Sequence, residues 1–244
     1  MAEHTVGIGD ISLFVPSPFM DLETLIERRI SEDASMERRL RRSLQITGQT
    51  GIRFPELWQD NVTLAAQSAS DLMKRNGAEA TRGLRYIAVG TETTVDHSKP
   101  IAAYVEGMLQ RSGLEVPHTL STFQVQHACA GGTISMLGVS GMLQAAGRDG
   151  DTGLVVSSDI ARYSVPSTAE VTQGAGSVAM LIERSPRLLS LDLASVGYHS
   201  SDVDDFFRPL GSVTAKVKGS YSVQCYHEAL EGALLDHASR LGTS

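Results

Sequence analysis

The segment from Ala130 to about Ala146 reads as a helix without a polar side. Ile134, Met136, Leu137, Val139, Met142 and Leu143 fall all around its wheel, interspersed with several glycines, and its polar side chains are few: Thr133, Ser135, Ser140 and Gln144. A helix that is apolar all round is normally covered all round. A single sheet covers one side only, so this segment asks for a second layer. The rest of the pattern supplies sheet and helices. Expected strands are Thr5 to Val15, Leu84 to Gly90, a short buried Thr122 to Val125, Gly153 to Ser157, and a pair, Ser177 to Ile182 and Leu188 to Tyr198, broken at Arg184-Ser185-Pro186. Expected helices run from a cap at Asp21 to about Ile30, then Ser35 to Leu44, Asp60 to Asn76, Pro100 to Ser112, and Ser220 to Leu241. Strands alternating with helices imply a layered α/β fold with a largely parallel central sheet. No repeat, low-complexity tract or linker interrupts residues 1–244, which read as one domain.

Composition narrows the function classes. A net charge of -7 argues against a general nucleic-acid binder, though an anionic cofactor needs only a local basic patch. Two cysteines far apart make no disulfide framework, which fits a reducing cytoplasm. Met1-Ala2-Glu3-His4 lacks the basic start and apolar core of a signal peptide, and no run of about 18 apolar residues offers a membrane span. Arg38, Arg39, Arg41 and Arg42 cluster on the second helix. A solvated face is the favoured account of them, and a clamp for cofactor phosphates is the sharper one.

Two places carry chemistry. Cys129 follows the Thr122 to Val125 strand and precedes the apolar helix, so its thiol sits near the free N–H groups of a first helical turn. Those groups and the helix dipole are expected to lower its pKa and favour the thiolate, the form able to take an acyl group. The neighbouring Gly131 and Gly132 would let a thioester approach the backbone. The alternative is an inert buried cysteine. The strand ending at Gly90 runs into Thr91-Glu92-Thr93-Thr94-Val95-Asp96, which puts Glu92 where α/β active sites form. Partial burial there would suit proton transfer, and an exposed loop acid is the alternative. Thr172-Gln173-Gly174-Ala175-Gly176 precedes a strand rather than opening a helix, so its glycines suggest tight turning and not a dinucleotide loop. Cys225, amid Tyr226, Ala229 and Leu230, reads as core packing.

These pieces together resemble the 3-hydroxy-3-methylglutaryl-CoA synthases of the thiolase superfamily. The landmarks are Gly90 to Asp96, Ala128-Cys129-Ala130-Gly131-Gly132-Thr133, Ser158-Asp159-Ile160-Ala161-Arg162-Tyr163, Thr172 to Met180, Asp205-Phe206-Phe207-Arg208-Pro209 and Ser222-Val223-Gln224-Cys225-Tyr226. Each alone is weak, but six in order are strong. The resemblance implies a thiolase-like layered fold, the N-terminal half of a five-layer αβαβα architecture. It implies that Cys129 takes an acetyl group from acetyl-CoA and that Glu92 handles the proton of the acetyl methyl. The resulting carbon nucleophile attacks acetoacetyl-CoA, and water then releases the product. Tyr163 and Asp159 match positions that support such a site, and Asp96 and Asp205 match acids that hold it together. For these four, loop or turn chemistry is the alternative. Thr172 and Gly174 match a further supporting stretch. No metal and no permanently bound cofactor are implied; the two CoA thioesters are substrates.

The pattern also breaks. Family members are about two such halves long, and their catalytic histidine lies beyond the segment matched here. None of His4, His97, His118, His127, His199, His227 and His237 matches it by position. His127 would face as the thiol does only if its strand stays regular. The resemblance therefore implies a second polypeptide that carries the C-terminal half and the histidine, with a gene fragment as the other account. It also implies dimerisation near the cysteine strand. Competing functions are a β-branching synthase acting on carrier-protein thioesters, a ketoacyl-synthase-like enzyme and a non-catalytic scaffold subunit.

Overall fold

The structure is a computed structural model that describes residues 5–243. The Met1-Ala2-Glu3-His4 reading lies outside the described residues, as does Ser244. The chain divides into two compact units, Met1–Ala161 with Pro166–Leu191, and Arg162–Val165 with Asp192–Ser244.

The first unit opens with β1 (Val6–Phe14), β2 (Phe19–Asp21), α1 (Leu22–Glu32), α2 (Glu37–Thr47) and β3 (Gly51–Arg53). It continues through α3 (Asn61–Arg82), β4 (Leu84–Gly90), α4 (Ile101–Arg111), β5 (Ser121–Val125), α5 (Gly131–Ala146), β6 (Thr152–Ala161), β7 (Gly174–Arg184) and β8 (Leu189–Leu191). Side chains set several of the starts. The Asp21 carboxylate accepts from the Thr24 N–H and caps α1. Asp60 and Thr63 cap α3 reciprocally, each side chain accepting from the other's backbone N–H. Gly77, at φ 80°, breaks the helical path of α3, which then resumes to Arg82.

A six-stranded sheet, ordered β5-β4-β6-β7-β1-β8, organises this unit. Only β5-β4-β6 is parallel; β6-β7, β7-β1 and β1-β8 are antiparallel. The expected largely parallel sheet is corrected to a mixed one. The chain leaves β6 and reaches β7 with only a short 3-10 turn at Glu170–Thr172 between them, so β7 has no crossover helix to carry it round and returns antiparallel. The strands expected as a pair are also rearranged. β7 begins at Gly174, β8 covers only Leu189–Leu191, and β1 lies between them, paired with both. β5 is an edge strand and half buried, not the buried strand expected.

α3 and α4 seal one face of the sheet. Leu72, Met73, Val105 and Leu109 pack there against Ile87, Val89, Leu154 and Leu181. α5 lies on the opposite face, against β4, β5, β6, β7 and β1. A Cβ on Gly153 of β6 would come within 2.3 Å of Val139 Cγ1, so the glycine makes room for α5. Ser135, Val139, Ser140 and Leu143 of α5 are buried, while Thr133, Ile134 and Gly138 are exposed. Cβ atoms built on Gly138 and Gly141 would meet nothing within 4 Å. The bare area continues onto the sheet. Ser12 of β1 is buried on the α3 side, where its partner Ala179 joins the core, so the alternating Ile11 and Leu13 point to the α5 side. They are 44% and 65% exposed. The helix that reads as apolar all round is thus covered by the described residues on one side only.

The second unit holds β9 (Phe206–Phe207), β10 (Lys216–Val217) and the long α6 (Gly219–Leu241). β9 and β10 pair antiparallel, and Cys225 of α6 is buried, as its reading as a packing residue requires.

Candidate active site

β5 ends at Val125, and five residues separate it from α5. Within them Ala128 takes a positive φ of 42°, a conformation that costs an alanine of order 1–2 kcal/mol. The Ala130 N–H donates to the His127 carbonyl and the Gly131 N–H to the Ala128 carbonyl, and this tight turn sets Cys129 at the mouth of α5. His127 is exposed in the turn and not on the strand, so regular alternation does not align it with the thiol. The glycines beside the thiol have a packing task that the sequence did not suggest. Gly131 and Gly132 are buried, and a Cβ on Gly90 would stand 2.2 Å from the Gly131 carbonyl carbon and the Gly132 nitrogen. A Cβ on Gly132 would stand 1.9 Å from Ser157 Oγ. They let the helix mouth press onto β4 and β6.

The chain after β4 passes over the end of β6, and Asp159 gathers it. Asp159 Oδ1 accepts from Thr91 Oγ1 at 2.9 Å, the Glu92 N–H at 3.0 Å, the Thr93 N–H at 3.1 Å and Thr93 Oγ1 at 2.9 Å. Burial nevertheless dominates and raises the Asp159 pKa above the ordinary aspartate value, with these hydrogen bonds opposing it. Under the same turn lies Asn61, the first residue of α3, 1% exposed. Its Nδ2 donates to Thr91 Oγ1 at 2.8 Å, the Thr93 carbonyl at 2.8 Å and the Ser158 carbonyl at 3.1 Å, and its Oδ1 accepts from Ser158 Oγ at 2.7 Å.

The Cys129 pKa runs opposite to expectation. It is raised, first by desolvation and then by the negative charges of Glu92 and Asp159, while one backbone hydrogen bond lowers it. The thiol is open to solvent on one side, but desolvation and then the two carboxylates disfavour the thiolate that the helix mouth is expected to favour. Cys129, Glu92 and Asp159 are therefore brought into one electrostatic neighbourhood.

Asp96, Thr172, Gly174, Tyr163 and Asp205 each have local partners of their own. Asp96 is exposed, and its Oδ1 accepts from the Ser98 N–H at 2.7 Å and the Lys99 N–H at 2.8 Å. Those bonds, led by Lys99, lower its pKa and make it the anchor of the turn before α4. Thr172 Oγ1 donates to the Ala169 carbonyl at 2.7 Å within its 3-10 turn. Gly174 sits in β7 opposite Ala161, and Gly176 opposite Asp159, so these glycines are strand residues and not the turn expected of them. Tyr163 and Asp205 belong to the second unit. There Tyr163 bridges to Ala215, and Asp205 Oδ2 accepts from Ser222 Oγ at 2.8 Å. Of the arginine cluster, Arg41 is tied to Glu37 and Glu23 on the surface, which fits the solvated face. Among the described residues no group of three or more His, Cys, Asp or Glu side chains is placed to hold a metal, and no helix is long and apolar enough to cross a membrane.

Sequence reasoning missed Asn61 and Ser158 as parts of the site. A polar residue opening a helix is ordinary cap chemistry, so Asn61 carried no signal of its long reach to residues 91–93 and 158.

Comparison with known proteins gives the chain its family. A family model for the N-terminal region of hydroxymethylglutaryl-coenzyme A synthase matches residues 2–186. The hydroxymethylglutaryl-CoA synthase of Enterococcus faecalis is 32% identical over 238 residues, covering 98% of this chain and 57% of the relative. That of Haloferax volcanii is 34% identical over 189 residues, covering 78% of this chain and 42% of the relative. Among solved structures, MvaS in complex with 3-hydroxy-3-methylglutaryl coenzyme A superposes with a TM-score of 0.86 at 37% identity, over 98% of this chain and 55% of that one. The chain spans about half the length of the curated relatives it matches. Its α/β layers are thiolase-like, and the chain belongs to the hydroxymethylglutaryl-CoA synthase family.

Proposed function

We propose that this chain is the N-terminal half of a hydroxymethylglutaryl-CoA synthase, with residues 1–244 as one thiolase-like domain, and that it works with a second polypeptide supplying the C-terminal half and the catalytic histidine. The observation that carries the reading is the placing of Cys129 at the mouth of α5 within the field of Glu92 and Asp159. Cys129 loses its proton and its sulfur attacks the thioester carbonyl of acetyl-CoA. The carbon–sulfur bond to CoA breaks, and CoA leaves as the thiol with a proton. Glu92 takes a proton from the methyl of the acetyl-cysteine, whose thioester carbonyl makes that proton acidic. The carbanion adds to the ketone of acetoacetyl-CoA, whose oxygen gains a proton. Water then cleaves the cysteine thioester, freeing the thiol and the product. Asp159 supports the site by holding residues 91–93. Tyr163, Asp96, Asp205, Thr172 and Gly174 are assigned supporting roles by their match to the family motifs.

Two surfaces support the requirement for a partner. The exposed Ile134 of α5 and the exposed Ile11 and Leu13 of β1 lie on the same sheet face, apolar surface that an isolated soluble domain does not readily leave bare. Dimerisation is a separate contact, supported by the position of β5 at a sheet edge. An accessible free thiol at Cys129 suits a reducing, cytoplasmic setting.

Labelled acetyl-CoA tests the reading, with and without a C-terminal synthase half. Label recovered on Cys129, and lost in Cys129→Ser, supports the enzyme. No label under either condition supports the scaffold subunit. A monodisperse, soluble monomer that turns over without any partner would refute the two-chain arrangement.

A further inference from the structure

We infer that Asn61 is a positioning residue that holds the Glu92-bearing turn against Cys129. The inference rests on the pairing of Cys129 with Glu92 proposed above. The geometry is that of a buried clasp. Asn61 sits on α3, on the sheet face opposite α5, and reaches the ends of two strands. One amide nitrogen bonds the Thr91 hydroxyl that follows β4, the Thr93 carbonyl beyond Glu92, and the Ser158 carbonyl of β6. Glu92 is thus bracketed on both sides by groups that one side chain grips.

The clasp also has a fixed orientation. Ser158 Oγ donates to Asn61 Oδ1, so the amide cannot flip without losing both that bond and its own donations. Thr91 Oγ1, having accepted from Asn61, donates onward to Asp159 Oδ1, and Asp159 accepts in turn from the Glu92 N–H. A buried hydrogen-bonded network is stiff, and deleting Asn61 strips a donor from Thr91 Oγ1, the Thr93 carbonyl and the Ser158 carbonyl, leaving the turn to Asp159 alone. Asn61 is too far inside, at 1% exposure, to meet a substrate itself. Its effect on chemistry passes through where Glu92 stands.

The Cys129 thiol reports that position without any turnover. The pH profile of iodoacetamide alkylation of Cys129, followed on its own peptide by mass spectrometry, gives a midpoint that Glu92 and Asp159 both raise. In the full chain, Glu92→Gln is expected to lower the midpoint by about half a pH unit or more. Asn61→Leu is expected to lower it by at least half of that amount, because the released turn carries the carboxylate away. A merely structural asparagine would change the melting temperature and leave the midpoint in place, and that result overturns the inference. Should Asn61→Leu not fold, Ser158→Ala tests the same clasp, because it removes the bond that fixes the Asn61 amide and leaves the side-chain bonds among residues 91–93 and Asp159 in place. It is expected to lower the midpoint in the same direction by a smaller amount, and an unchanged midpoint overturns the inference. If Glu92→Gln itself leaves the midpoint unchanged, the Cys129–Glu92 pairing falls and the inference with it. If Glu92→Gln shifts it and Asn61→Leu does not, only the inference falls.

Discussion

The two faces of the central sheet differ in kind. On one, α3 and α4 cover the strands, and Leu72, Leu84, Ile87 and Leu154 are fully buried. On the other, α5 covers part of the sheet and leaves Ile11 and Leu13 open, with Gly138 and Gly141 looking onto nothing. The closed face holds the unit together. The open face carries apolar residues that the described residues leave exposed, so they add little to the stability of this chain alone.

Substitutions can break that comparison. Leu72→Ala on the closed face should cost about 3 kcal/mol, read as a lower urea midpoint, because it opens a cavity among fully buried neighbours. Gly90→Ala comes next, at about 1–3 kcal/mol by the same measure. Its methyl would collide with the backbone at the mouth of α5, and Cys129 alkylation should change with it. The ion pair joining α3 to β1 offers a pH test. Asp10 is held at about 2 against an ordinary 3.8, first by its hydrogen bonds to Arg75, with burial opposing and Asn76 assisting. A depressed carboxyl pKa stabilises the fold above the unfolded value and loses that contribution as pH falls through the folded one. Arg75 is half exposed, so solvent screening reduces the effect to on the order of 1 kcal/mol. Asp10→Asn should therefore lower stability at neutral pH, and its gap from wild type should close between about pH 4 and pH 2. Smallest of all, Leu13→Thr should move the stability of the isolated chain by less than about 0.5 kcal/mol while weakening its capture of a C-terminal synthase half. A large loss from Leu13→Thr in the isolated chain would mean that the two faces are not different after all.

Local chemistry was legible in the sequence, and distant pairing was not. The Asp21 cap, the amphipathic start of α3 and the strand-to-helix setting of Cys129 rest on neighbours in the chain, and all three stand as read. The insertion of β1 between β7 and β8 does not, since alternation marks a strand but not its partner. The same limit explains the glycines. Gly131 beside a cysteine suggests access for a ligand, and only the approach of Gly90, 41 positions earlier in the sequence, reveals a packing constraint. Asn61 escaped notice for the same reason. The thiol's raised pKa depends first on desolvation and then on carboxylates 37 residues before it and 30 after, none of which a local reading of the helix mouth includes.

Ala128 has a consequence for how this protein could be improved. Its left-handed backbone is a conformation glycine adopts freely, so Ala128→Gly would relieve strain in the folded state. It would also give the unfolded chain more freedom and allow the sulfur to wander. A screen that rewards thermal robustness and one that rewards rapid alkylation of the Cys129 thiol should therefore rank that single replacement differently, and the disagreement between them would measure how much aim the bent alanine provides.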